Sequence, residues 1–298
     1  MSEEEFEGTQ HLLFGSRFAG LLSATELMRA VGELTDSTFD EVQRSTSLYK
    51  EADVALSPFK VPLDFWVSEH FGAKGARNFL KVGGDVASLL RSPEKLSPQV
   101  QKLLVEIKRL KAEKRFFHWE LEFPEVFYDQ TGAKEHPGFD TVLGNPPYVR
   151  SELADKEERS FLMKSGQFQR LWGRFDLYLA FLEQGLELTT SNGHFGMIVP
   201  DAVLTINYGI AFREWILRNY SLLSILDLSS LRVFEDAAVA PTIMIIRKDW
   251  GMSDLTTSIH KFNQTKISTT VVLRIPQEQF LNLPQSGEHS LFLKVFLL

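Results

Sequence analysis

Up to residue 115 the apolar positions recur at helical spacing; beyond residue 138 short apolar runs alternate with helical stripes. Leu21 to Leu34 predicts a helix. Ser57-Pro58 marks an expected break. An aromatic stretch follows, Phe59 to Phe71, in which Leu63, Trp66 and His70 share a helical face and read as packing residues. Ser97 is placed as an N-cap with Pro98 at the first helical position. Val100, Leu103, Leu104, Ile107 and Leu110 then form an apolar stripe, with Lys102, Lys108, Arg109, Lys111 and Arg115 largely off it on a solvated face.

From Phe139 to Leu143 the chain reads as a short buried strand. Phe175 to Leu188 reads as a helix, with Phe175, Tyr178, Leu182 and Leu186 on one stripe, and Thr189-Thr190-Ser191-Asn192-Gly193 as a turn. His194 to Val199 is a buried strand closed by Pro200, Ile210 to Tyr220 a helix, and Leu222 to Leu228 and Pro241 to Arg247 two further strands. Strands alternating with helices predict an α/β fold: a partial doubly wound (Rossmann-like), mostly parallel sheet with helices on both faces. A mainly helical N-terminal region precedes it. The expected boundaries are residues 1–115 for the helical region, 116–250 for the sheet and 251–298 for a Thr-rich, β-prone tail.

Composition narrows the chemistry. Hydrophobic residues make up 44% of the 298, ample for a packed core. The chain has no cysteine, which excludes disulfides, thiolate metal sites and a cysteine nucleophile for methylation at a ring carbon. His118, His136, His194 and His260 are scattered without partners at ligand spacing, so no metal site is expected. Glu106-Ile107-Lys108 with Asp85 imitates a metal-dependent nuclease spacing, but residues two apart on a helix point away from each other, and the imitation is rejected. A net charge of −7 is not the footprint of a self-sufficient nucleic-acid binder. No apolar run approaches a membrane span and Ser2-Glu3-Glu4-Glu5 is unlike a signal peptide, so a cytoplasmic location is the expectation. Ser290 to Leu298 stays apolar to its last residue, where a natural terminus is usually polar; the chain is expected to be a piece of something longer.

The most specific chemistry lies in Asn145-Pro146-Pro147-Tyr148, directly after the Phe139–Leu143 strand and Gly144. Each proline has a fixed φ and no N–H, and the first is restricted further by the second. The loop therefore offers the Asn145 side-chain oxygen and the Pro146 carbonyl in a fixed direction, beside the flat face of Tyr148. Two acceptors and a ring suit a planar base with an exocyclic amino group. That nitrogen is conjugated and a poor nucleophile; acceptors holding its hydrogens localise the lone pair and aim it at an electrophile such as a sulfonium methyl, by positioning alone. The base would first leave the duplex stack and be held on an aromatic side chain.

Other stretches join this motif. They are Phe117-His118-Trp119-Glu120-Leu121-Glu122-Phe123-Pro124-Glu125-Val126-Phe127, Phe175-Asp176-Leu177-Tyr178, Gly196-Met197-Ile198-Val199-Pro200, Val233-Phe234 and Thr242-Ile243-Met244-Ile245-Ile246. Together they resemble the amino-group DNA methyltransferases with an NPPY motif, and more closely the large adenine-specific enzymes of the Eco57I type. The resemblance implies a methyltransferase sheet, S-adenosylmethionine as cofactor and N6 of a flipped adenine in double-stranded DNA as target, within a restriction-modification or phage-defence system. It implies Asn145, Pro146, Pro147 and Tyr148 as catalytic residues and Phe234 as a wall of the base pocket. Phe175 and Asp176 would border the methionine end of the cofactor, and residues 251–298 would begin a target-recognition region.

In that family a Gly-rich strand-turn-helix precedes NPPY and cradles the cofactor. Here Val82-Gly83-Gly84-Asp85 is the only glycine pair upstream, and it follows no β-rich strand. The cofactor loop is therefore expected on a missing N-terminal part or a partner chain, and the isolated chain is expected to be inactive. Without the strands that precede NPPY in the family, Phe139–Leu143 would become an open sheet edge. Two other readings stay open: an enzyme methylating a protein glutamine amide, and a non-catalytic DNA-binding or assembly subunit that needs a partner chain.

Overall fold

A computed structural model of the protein describes residues 16–82, 92–231, 233–234, 240–249, 255–263 and 268–281. Gly83, Gly84 and Asp85, and the apolar run 290–298, lie outside the described residues. The chain forms two compact units, Met1–Glu135 and His136–Leu298. The boundary expected after Arg115 is thereby corrected. The Phe117–Phe127 stretch folds with the helices because Leu121 is buried among Leu21, Ala24, Met28 and Leu56.

The first unit is helical: α1 (Ser16–Gly32), α2 (Phe39–His70), α3 (Ala76–Val82), α4 (Pro98–Lys114), α5 (Trp119–Glu122) and α6 (Pro124–Phe127), then a short pair, β1 (Tyr128–Asp129) with β2 (Gly132–Ala133). Ser97 caps α4 as expected, its hydroxyl accepting from the Val100 amide at 3.4 Å, with Pro98 next. The break expected at Ser57-Pro58 does not occur. Helix α2 runs through both Pro58 and Pro62. Ala52, Leu56 and Phe59 are buried in one cluster with α1, and Phe65 in another with Leu104, Ile107 and Leu110 of α4. Burial on both sides of the prolines outweighs their lost backbone bonds. Two cations on the polar face of α4 are held in ion pairs, Arg109 with Glu106 and Lys111 with Asp64, which also meets His118.

The second unit holds β3 (Phe139–Gly144), α7 (Lys156–Lys164), α8 (Tyr178–Leu188), β4 (Thr189–Pro200), α9 (Ile210–Asn219), β5 (Ser221–Asp227), β6 (Pro241–Arg247), β7 (Thr256–Asn263), β8 (Ser268–Pro276) and α10 (Gln277–Leu281). Its sheet runs β3-β4-β6-β5-β7-β8. The α/β class holds, but the sheet is mixed and not mostly parallel. β3 pairs parallel with β4 and β5 with β7, while β4–β6, β5–β6 and β7–β8 are antiparallel. Strands that follow each other through short connections, as β7 and β8 do across residues 264–267, have no room for the crossover a parallel pair needs. Those two strands also show that the described part of 251–298 completes this sheet instead of starting a separate region.

Phe195, Met197 and Val199 of β4 lie beside Met244 and Ile246 of β6 and share one core with Tyr178, Leu182 and Leu186 of α8 and Phe212 and Ile216 of α9. On the opposite face Ile198, Ile243 and Ile245 are half-buried. The expectation of helices on both faces is thus met on one, among the described residues of this unit. The turn expected at Thr189–Gly193 is instead the start of β4. Phe139 pairs with Thr189 but Thr141 with His194, so the turn residues are absorbed as a register shift, with Asn192 at φ +63°.

Gly138 sets how β3 enters the sheet. A Cβ there would lie 2.7 Å from both the Leu188 carbonyl oxygen and the Thr190 amide nitrogen, at φ +126°. Both neighbours are backbone and cannot turn aside as a side chain would. Gly138→Ala is expected to cost roughly 3 kcal/mol through strain and overlap, seen as a lower urea midpoint at unchanged slope.

Candidate active site

Among the described residues strand β3 lies at one edge of the sheet, paired with β4 alone. The buried strand expected at Phe139–Leu143 is therefore corrected to an edge strand, with Leu143 75% exposed and Asp140 and Thr141 also exposed. At its carboxyl end Gly144 packs against Met197, where an added Cβ would sit 3.0 Å from the methionine Cε. The chain then leaves the sheet through Asn145-Pro146-Pro147-Tyr148. Carboxyl strand ends are where open α/β sheets place ligands.

Within the loop Pro146 is buried, while Asn145 is exposed and its side chain makes no hydrogen bond among the described residues. The Tyr148 hydroxyl donates to the Ile198 carbonyl of β4 at 3.1 Å, and burial pushes its pKa up, so it stays a neutral donor. The Tyr148 ring meets Tyr178 edge-on, centroids 6.5 Å apart, and Phe234 likewise at 5.9 Å. The structure thus brings Phe234 to Tyr148.

Beyond Tyr148 the chain is strapped to the segment before α8. The Leu177 amide donates to the Val149 carbonyl and the Ser151 amide to the Phe175 carbonyl, each at 2.8 Å, and the Phe175 amide donates to the Ser151 hydroxyl at 3.3 Å. Arg150 and Asp176 face each other as an isolated bridge. These bonds explain why α8 begins at Tyr178 and not at Phe175. Phe175 is 2% exposed and sits in the core, so what it presents toward the loop is main chain. The Asp176 carboxylate accepts from the Tyr208 hydroxyl. Tyr208 lies in a 3-10 turn, Asn207–Gly209, that follows β4. Its pKa is pushed well up, by burial first and then by the bond to Asp176.

Sequence reasoning missed Tyr208 and Ser151. Tyr208 is 32 positions from its partner Asp176, and no periodicity links a strand-end turn to a strap before a helix. Ser151 gave only a weak sign, a small polar residue shortly after the loop. Among the described residues no group of three metal-ligating side chains occurs, and no helix is long and apolar enough to cross a membrane.

Chemically, the arrangement offers acceptors on a stiff loop next to a braced aromatic ring. Among the described residues before β3 the strands are the two-residue β1 and β2, and neither leads through a glycine turn into a helix.

This chain is similar to the type II methyltransferase M.BstVI of Geobacillus stearothermophilus, 30% identical over 169 residues that cover 56% of this chain and 29% of that protein. It is similar to the type II methyltransferase M.PaeR7I of Pseudomonas aeruginosa at 32% over 118 residues, 38% of this chain and 20% of the relative. It therefore spans under a third of the length of either relative. Among solved structures, a type I restriction-modification methyltransferase subunit from Streptococcus thermophilus matches at 16% identity and a TM-score of 0.35, covering 85% of this chain and 59% of the other. The model of the Eco57I restriction-modification methylase family matches residues 54–234, more than half of the sequence and including the loop and its strap, and the chain belongs to that family.

Proposed function

We propose that the chain is the base-binding part of a site-specific DNA methyltransferase that modifies the N6 amino group of an adenine flipped out of double-stranded DNA, in a restriction-modification or phage-defence system. The observation that carries this reading is the exposed Asn145 at the carboxyl end of β3, on a two-proline loop beside the braced ring of Tyr148. Asn145 and the Pro146 carbonyl hold the amino hydrogens, Pro147 keeps the loop stiff, Tyr148 stacks on the base and Phe234 closes the pocket. S-adenosylmethionine supplies the electrophilic methyl group. Its cradle comes from a further segment of the protein or from a partner chain, and the main chain at Phe175 and Asp176 borders its methionine end.

The test is direct. The chain, combined with the polypeptide that carries a Gly-rich cofactor loop, is incubated with duplex DNA and methyl-labelled cofactor, and the DNA is digested to nucleosides. N6-methyladenine is the expected product. Label in cytosine, or in a protein glutamine and not in DNA, would replace this reading.

Tyr148 separates the roles of ring and hydroxyl. Tyr148→Ala is expected to weaken capture of the flipped base by roughly 1–3 kcal/mol, the worth of base–aromatic stacking. Tyr148→Phe keeps the face and loses the bond to Ile198, so its cost is about 1 kcal/mol. Affinity for duplexes with an abasic position opposite the target adenine reads both. Equal losses in the two variants would assign the work to the hydroxyl.

A further inference from the structure

Two residues outside the grip on the base are tied to it. The middle of the loop cannot be held by backbone amides, because Pro146 and Pro147 have none to donate. It depends on its ends and on Tyr148. The entry is fixed by β3, where Gly144 pairs with Met197. The middle is pinned by the Tyr148 bond to Ile198. The exit is fixed by the strap between Val149–Ser151 and Phe175–Leu177. That strap is anchored through Asp176, whose carboxylate accepts from Tyr208, and a phenol on a carboxylate is among the stronger hydrogen bonds. The turn bearing Tyr208 is held in its own right: the buried Arg213 donates to the Val203 carbonyl at 2.8 Å and to the Ile206 carbonyl at 2.9 Å. Gly209 lets the turn approach Arg213, since a Cβ there would fall 2.8 Å from the guanidinium.

We infer that Asp176 and Tyr208 are positioning residues for the Asn145–Tyr148 loop: Tyr208 fixes Asp176, Asp176 fixes the strap, and the strap sets where the loop leaves the sheet. The inference rests on the reading of that loop as the base grip. It gives Asp176 a side-chain role apart from the cofactor, whose border is formed by main chain.

Amide hydrogen exchange on the full chain, in whatever assembly it purifies, tests the hold on the strap. Tyr208→Phe and Asp176→Ala should each speed exchange at Ser151 and Leu177 about tenfold, as the loss of one good hydrogen bond does. The Ile198 and Ile245 amides of the sheet should keep their rates. Asp176→Asn, whose amide oxygen can still accept from the phenol but without the charge, should fall between the parent and Asp176→Ala. Unchanged exchange at Ser151 and Leu177, or acceleration spread evenly over the sheet, would overturn the inference. With the cofactor-binding part present, Tyr208→Phe should lower kcat for DNA methylation about tenfold and leave KM for the cofactor alone; exchange that rises while kcat holds would also overturn it. If the parent protein methylates no DNA yet the exchange pattern appears, the strap stands as a positioning device and only the methylation reading falls.

Discussion

Asn145→Ala is expected to lower methyl transfer to duplex DNA by about 10²-fold or more, the usual loss when one positioned polar contact to a transition state is removed. The comparison belongs in the protein completed with its cofactor-binding part. The size follows from what the amino group needs. Its lone pair is delocalised into the ring, and an acceptor on each hydrogen draws the nitrogen toward a tetrahedral shape as the new bond forms. Those hydrogens become more acidic along the reaction, so the contact strengthens at the transition state and acts on kcat more than on binding. The side chain is exposed and makes no hydrogen bond among the described residues, so its truncation disturbs no internal bond. Thermal stability should therefore hold while kcat falls. Single-turnover rates with a saturating duplex separate the two effects. Normal turnover by Asn145→Ala would remove the proposed grip on the amino group.

The parts of this site that the sequence disclosed are those built from local chemistry. Gly144 and two prolines after an apolar run define a stiff loop at a strand end wherever they occur, and β3 lies where it was read, although as an exposed edge and not as a buried strand. The β6 boundaries, Pro241 to Arg247, were legible for the same reason, a short apolar run cut off by proline and charge. What escaped was set by tertiary contact. Helix α2 continues through Pro58 and Pro62 because Leu56 before them, Phe59 between them and Phe65 after them are all buried, the first two in one cluster and the last in another. The Thr189–Gly193 segment has the composition of a turn, yet Thr189 pairs with Phe139 and His194, just past the segment, pairs with Thr141, and the ladder absorbs the residues between. Strand direction was misjudged because alternation with helices signals crossovers, whereas β5–β6 and β7–β8 return without one. The link from Tyr208 to Asp176 joins two segments that only the folded sheet brings together.

The chain on its own is expected to transfer no measurable methyl and to bind S-adenosylmethionine too weakly for micromolar titration. The described residues before β3 contain no strand that leads through a glycine turn into a helix, and so offer no set of amides to cradle the cofactor. The sheet shows where such a strand would go. One side of β3 pairs with β4, and the other presents backbone groups with no sheet partner among the described residues. A strand added there would make β3 the point from which the sheet winds both ways, and the loop after that strand would open beside Asn145, where ligands of doubly wound sheets bind. Left open, the same edge invites pairing with other chains. Little blunts it: Asp140 is its one charge, no proline lies inside it, and Leu143 is 75% exposed. The isolated chain should therefore self-associate or purify with a partner, and unfold with low cooperativity. Adding the polypeptide with the cofactor loop should give a defined complex, a sharper melt and methylated DNA together. A lone chain that stays a monodisperse monomer, melts in one sharp step and binds the cofactor at micromolar concentration would show that the edge is already covered and the cradle already present.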